Sequence, residues 1–143
     1  MKKPGILFSF LFFVLFVNAQ NSLDSAWIKE NYYKVEKMIP MRDGIKLYTA
    51  IYLPKDSSEK HPILLRRTPY SAAPYGANNF PDAFWNTYHR VYMRENYIMV
   101  VQDVRGKYMS EGEFVDVRPY IENKTGTQVD EASDTYDAVD ADQ

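Results

Sequence analysis

The chain has 143 residues, 45% of them hydrophobic and 25% charged, with a formal net charge of -2 and a pI near 5.7. These values describe a globular chain of one domain, or part of one, and exclude fibrous and disordered classes. They also leave no basic surface to hold a phosphate backbone, which excludes nucleic acid as a partner, and the absence of cysteine excludes disulfides, thiolate-bound zinc and cysteine nucleophiles.

Residues 1–19 read as a secretory signal peptide. Lys2 and Lys3 give a positive start, Ile6 to Val17 is almost wholly apolar, and Val17-Asn18-Ala19 offers small residues for cleavage after Ala19. An apolar run of about twelve residues is shorter than the ~20 a bilayer-spanning helix needs. A secreted or periplasmic product without a stable membrane anchor after cleavage is expected. Residues 20–32 read as a linker, a polar connector around Asn21 to Lys29.

Two alternating runs follow and predict strands at Tyr33–Pro40 and Ile45–Leu53, joined by Arg42-Asp43-Gly44. Asp-Gly between alternating runs predicts a type I′ hairpin turn, with positive φ at both central residues. After the solvated loop "KDSSEK", the apolar run Ile63 to Arg67 predicts a short strand covered on both faces, which ends in Thr68-Pro69-Tyr70. Ser71 to Pro81 holds too much Pro, Gly and Asn for regular structure, and a loop of that length in a compact domain tends to be functional.

Pro81-Asp82 opens a helix that runs to about Glu95, with Phe84, Trp85, Tyr88, Val91 and Tyr92 on one apolar face. Core packing accounts for that stripe, and a ligand-binding role for Trp85 is a second reading of it. Tyr97 to Val104 predicts another buried strand, which completes a βαβ unit with a right-handed crossover. The fold class is therefore α/β, an antiparallel hairpin followed by a βαβ unit of a mixed sheet. Ligands bind such sheets beyond the carboxyl ends of the parallel strands, where the loops starting at Thr68 and Asp103 leave.

The last segment, "DEASDTYDAVDADQ", carries Asp130, Glu131, Asp134, Asp137, Asp140 and Asp142 with no basic residue. It predicts a helix capped by Asp130 or Ser133 that turns a solvated acidic face outward. Calcium is the other reading of these acids, and the Asp-x-Asp-x-Asp-Gly order of a calcium loop is missing. No metal and no other cofactor is expected.

The stretches "IPMRDGIKLYTAIYLP", "PILLRRTPY", "YIMVVQDVRGKYMSEGEF" and "DEASDTYDAVD" together resemble the serine hydrolase family that groups X-Pro dipeptidyl-peptidases, bacterial cocaine esterase, α-amino-acid ester hydrolases and cephalosporin acylases. The likeness spans about residues 33 to 140. It implies that residues 33–143 are the amino-terminal part of an α/β-hydrolase domain, cut short, from a secreted enzyme that attacks peptide, amide or ester bonds through an acyl-serine. Its nucleophile follows a later strand in a Gly-x-Ser-Tyr-x-Gly turn. No such turn occurs here, Ser110 lies in Met-Ser-Glu-Gly, and the histidines are His61 and His89. The Ser, Asp and His of the triad are therefore expected beyond Gln143, and the chain alone is expected to be inactive.

In the resembled family the second loop more often reads Arg-Gly-x-Gly-x-Ser-Glu-Gly, from which Tyr108 and Met109 depart. Asp103, Arg105, Gly106, Ser110 and Glu111 read as a framework of turns and ion pairs, and His61 and His89 as structural residues. The resemblance carries over one catalytic role. The tyrosine after the third strand, Tyr70 here, supplies its phenol hydroxyl to the oxyanion hole. A phenol is chemically suited to meet a growing oxyanion, and Pro69 limits where the ring can point. The implied partner is a small-molecule or short-peptide substrate, with peptidase and ester hydrolase or acylase chemistry equally supported. The alternative is a non-catalytic secreted binding module that holds a ligand with the aromatic loop from Tyr70 to Phe84.

Overall fold

The computed structural model describes residues 23–141; the expected signal peptide and its cleavage after Ala19 lie outside them. The elements in chain order are α1 (23–31), β1 (Tyr32–Pro40), β2 (Lys46–Pro54), β3 (Ile63–Thr68), α2 (Ala83–Asn86), α3 (His89–Arg94), β4 (Ile98–Asp103) and α4 (Glu131–Asp140). The strands form one mixed sheet in the order β1-β2-β4-β3. β1 and β2 pair antiparallel from Tyr32↔Pro54 to Pro40↔Lys46, β2 and β4 pair antiparallel, and β3 and β4 run parallel from Ile63↔Ile98 to Thr68↔Asp103. The expected hairpin and βαβ unit are both present. No helix among the described residues is long and apolar enough to cross a membrane.

β2 is central and buried from Leu47 through Tyr52. Its alternation therefore divides the core between the two sheet faces rather than core from solvent. Tyr48, Ala50 and Tyr52 join Met99 and Val101 of β4 beneath α2 and α3, with Phe84, Trp85 and Met93. Leu47 faces the other way, with Ile39, Met41 and Ala138 of α4. Trp85 belongs to the first cluster, so the core absorbs the aromatic stripe's largest ring.

Four local expectations are corrected by tertiary contacts. The hairpin turn is not type I′. Gly44 N–H reaches Met41 O and Met41 N–H reaches Ile45 O, both at 2.8 Å, and within the turn only Gly44 takes a positive φ, +86°. This is a three-residue loop closed by a left-handed glycine, and it leaves the Asp43 carboxylate free to reach Arg105. The helix expected from Asp82 to Glu95 is two helices. Thr87 is extended between them, its hydroxyl donating to Ala83 O at 2.8 Å and accepting from His89 N–H at 3.3 Å. The break changes the helical phase, so that His89 and Met93 are buried while Tyr88 and Val91 face solvent.

The connector is also structured. Residues 23–31 form α1, whose Ile28 lies in the core and whose Asp24 pairs with Arg90 and Arg94 at 3.2 and 2.7 Å. Finally, β3 is an edge strand rather than one covered on both faces, and Ile63 is half exposed. Cavities of about 200 and 210 Å³ open beside it on the two sheet faces.

Candidate functional site

β3 and β4 end in register, Thr68 opposite Asp103, so their loops leave the sheet side by side. Val104 N–H donates to Thr68 O at 3.1 Å and extends the pairing by one bond. The first loop then turns sharply: Tyr70 N–H donates to Thr68 Oγ1 at 3.0 Å, and Ser71 takes a left-handed φ of +86°. On either side of that turn the chain splits its directions. Tyr70 is 85% exposed, and Ala72 is fully buried.

Asp103 is fully buried and serves both loops. Its Oδ1 accepts from Ala72 N–H at 2.6 Å, and its Oδ2 accepts from the Tyr75 hydroxyl at 3.1 Å and from Met109 N–H at 3.3 Å. Burial raises the Tyr75 phenol above its ordinary range, and the neighbouring Asp103 charge adds to this.

The hairpin holds the far side of the first loop. Lys34, with its side chain wholly buried, donates to Pro74 O at 2.6 Å and Gly76 O at 3.2 Å. It also meets Glu36 at 2.7 Å, and Glu36 accepts Gly76 N–H at 2.6 Å and the Tyr48 hydroxyl. Desolvation opposes the Glu36 charge, but the donors Lys34, Tyr48 and Gly76 outweigh it and hold the carboxyl below its usual value. Tyr75 stands edge-on to Tyr48 with ring centroids 5.1 Å apart. Sequence reasoning missed Lys34, Glu36 and Tyr75. The available signal was the alternation itself, since Lys34 and Glu36 share the strand face of the core residue Tyr32.

The second loop has the structural character expected of it. Arg105 is buried between Asp43 and Asp134, at 2.7 Å from each. Gly106 has φ +70°, and a Cβ there would sit 2.1 Å from Phe114 N, so only glycine fits. Ser110 Oγ donates to Asp103 O at 2.6 Å and accepts Tyr48 N–H at 2.9 Å. Glu111 accepts Lys46 N–H at 2.9 Å.

The acids of this segment do not form one solvated face: Asp130 and Asp134 are buried, Asp140 is exposed, and Asp142 lies outside the described residues. Asp134 meets Arg67 at 3.3 Å and Arg105 at 2.7 Å, Asp137 meets Arg42 at 2.7 Å, and Asp130 meets Lys124 at 2.7 Å. Asp130 also caps the helix, in a reciprocal box with Ser133. Among the described residues no group of three or more acids and histidines is arranged to hold a metal. His61 bonds to Asp56 O and His89 to Thr87 Oγ1. Burial, with Arg66 nearby, keeps His89 below its ordinary pKa.

Chemically, this end of the sheet offers the outward Tyr70 phenol on a braced turn, beside a second loop that is rich in internal hydrogen bonds and exposes Tyr108. Tyr70 borders none of the four cavities around β1, β3 and β4, so its ring faces open solvent at the sheet's carboxyl end.

Residues 43–140 match the family described as X-Pro dipeptidyl-peptidase (S15 family). Cocaine esterase of Rhodococcus sp. (strain MB1 Bresler) is 35% identical over 91 residues, covering 64% of this chain and 14% of that protein. Among solved structures, an α-amino acid ester hydrolase matches with a TM-score of 0.62 and 42% identity over 77% of this chain and 18% of the other. An aminopeptidase from the marine sediment archaeon Thaumarchaeota archaeon matches with the same TM-score and 38% identity, over the same shares. The chain thus spans 14% to 18% of the length of these relatives, and its four-stranded sheet is similar to the amino-terminal part of the hydrolase structures.

Proposed function

Because the chain belongs to the X-Pro dipeptidyl-peptidase (S15) family, we propose that it contributes one wall of the active site of a serine hydrolase, with Tyr70 as an oxyanion-hole donor. The Ser, Asp and His of the triad come from sequence beyond Gln143. The carrying observation is the position of Tyr70. The ring stands 85% exposed at the carboxyl end of the sheet, while the next residue but one is buried and tied to Asp103.

The serine Oγ gives its proton to the catalytic base as it attacks the carbonyl carbon of a peptide, amide or ester, and the carbonyl π pair moves onto oxygen. The Tyr70 hydroxyl donates to that oxyanion. Collapse expels the amine or alcohol with a proton from the catalytic base, leaving an acyl-enzyme that water cleaves in the second half. A preorganised donor of this kind acts on the transition state far more than on the bound substrate. An aminopeptidase and two ester hydrolases among the relatives support peptide and ester bonds about equally, and a β-lactam amide is of the same chemical kind.

The test is Tyr70→Phe in the full-length enzyme, read with a nitrophenyl ester. We expect kcat to fall by about 10²- to 10³-fold with KM little changed; an unchanged kcat would remove Tyr70 from the oxyanion site. The same reading includes export and removal of residues 1–19. An intact-mass measurement on exported protein should give a chain starting at Gln20, and a mass that retains Met1 to Ala19 would overturn it.

A further inference from the structure

Three facts about the first loop converge on Asp103. Ser71, directly after Tyr70, is a non-glycine residue at φ +86°, a strained conformation that persists only where the surroundings enforce it. The Ser71 hydroxyl bonds to the Tyr75 hydroxyl at 2.9 Å and accepts Ala73 N–H at 3.1 Å. Tyr75 and Ala72 both donate to Asp103. The carboxylate thus grips the chain immediately after the strained residue and, through Tyr75, the side chain of that residue.

Its hydrogen-bond donors are two backbone amides and a phenol, all neutral. A carboxylate buried with neutral donors alone is an expensive way to fasten a loop, and it ties together the two loops that leave β3 and β4 side by side.

We infer that Asp103 is a positioning residue for the Tyr70 phenol, acting through Ala72, Tyr75 and Ser71. The inference rests on the proposed role of Tyr70. In the resting enzyme the Ala72 bond pulls residue 72 inward, Ser71 reverses the chain direction, and Tyr70 is left with only outward directions, braced from behind by Pro69. Met109 N–H on Oδ2 gives the second loop the same anchor. The spacing between the phenol and the second loop is thereby set by one side chain. A preorganised donor needs that fixity, since a displacement of about 1 Å can cost as much as 10²-fold in rate.

Asp103→Asn is the discriminating variant. Asparagine keeps one oxygen for Ala72 N–H and turns an NH₂ group toward Met109 N–H, so the loop stays present but loses its spacing. In the full-length enzyme, with active sites counted from the nitrophenolate burst, we expect kcat per site to fall about 10- to 100-fold with KM little changed. Tyr75→Phe, which keeps the ring on Tyr48 and removes the hydroxyl link, should show a smaller fall in kcat and guards against a failure of the first variant to fold. Both losses should vanish in a Tyr70→Phe background, because a group that acts through Tyr70 has nothing left to position. Losses that persist undiminished in that background, or a kcat per site unchanged in both variants, would overturn the inference. Should Tyr70→Phe alone leave kcat unchanged, the oxyanion reading falls first and this one with it, a result distinct from either.

Discussion

Two irregular stretches behave oppositely. Residues 69–82, rich in Pro and Asn, and 112–129, richer in charged and β-branched residues, are both without regular structure. The first is held by side chains from across the sheet: Lys34 and Glu36 of β1 reach it over 40 residues of sequence, and Asp103 of β4 over 31 and 28. The second bonds to itself and its flanks. Ile121 N–H reaches Asp130 nine residues on, Arg118 reaches Glu113 five residues back, and Lys124 reaches Ile121 three back, while Val117 and Tyr120 are exposed. Irregular backbone is therefore as firm as the side chains that reach it. The firm loop is the one that carries Tyr70.

The sharpest break of this contrast comes from Arg105, which ties the second parallel strand's loop to the hairpin and α4. Arg105→Met leaves Asp43 without its guanidinium and takes one of two from the buried Asp134. A loss of about 3–5 kcal/mol is expected, the usual cost of orphaning buried charge, measured as a shift in the urea midpoint. A loss below about 1 kcal/mol would mean that the network carries little of the loop's firmness.

Lys34→Met acts on the first loop and on Glu36, which holds the same loop through Gly76. Removing the buried ammonium leaves the carbonyls of Pro74 and Gly76 without it, for a cost of about 1–3 kcal/mol. Amide exchange should accelerate across residues 73–79 and stay unchanged across 115–125. Equal acceleration in both would erase the distinction between them.

Acid should loosen the same loop by a smaller amount. The Glu36 carboxyl lies below its ordinary value of 4.5, so the unfolded chain binds a proton that the folded chain resists. Its contribution is complete above about pH 4.5 and is lost as pH falls through the folded value. Exchange at Gly76 N–H should rise as pH drops from 5 toward 3, beyond the intrinsic change in exchange rate, and Glu36→Gln should flatten that rise. A rise of full size in the variant would assign it to another group.

The sequence showed the parts of the fold that depend on local pattern. All four strands and the parallel pair were legible, because apolar runs and alternation need no knowledge of distant partners. What it hid was set by contacts at long range. Asp43 was read as a turn former, yet its carboxylate belongs to Arg105, 62 residues on. The acids of α4 read as solvated because their cations Arg42, Arg67 and Arg105 lie 95, 67 and 29 residues away. Residues 23–31 read as part of a polar connector because Arg90 and Arg94, which hold Asp24, lie 66 and 70 residues away. The place of Tyr70 just after an apolar-run strand was legible from the order of elements, whereas the loop braces Lys34, Glu36 and Tyr75 were hidden because charged and phenolic residues on a strand or loop carry no mark of what they will hold.

The smallest expected effect lies in the looser loop and uses the same backbone conformation as Ser71. Val117 sits at φ +50°, where a β-branched residue is strained by about 1–2 kcal/mol, and it is 85% exposed with nothing to pack. Val117→Gly removes that strain and adds about 0.5–1 kcal/mol of unfolded-state entropy. The two oppose, so unfolding in urea should show a net gain of between about 0 and 1.5 kcal/mol. Exchange across residues 69–82 should not move at all. A loss of stability, or altered exchange near Tyr70, would show that the second loop is bound into the first and that left-handed backbone here is enforced from a distance, as it is at Ser71.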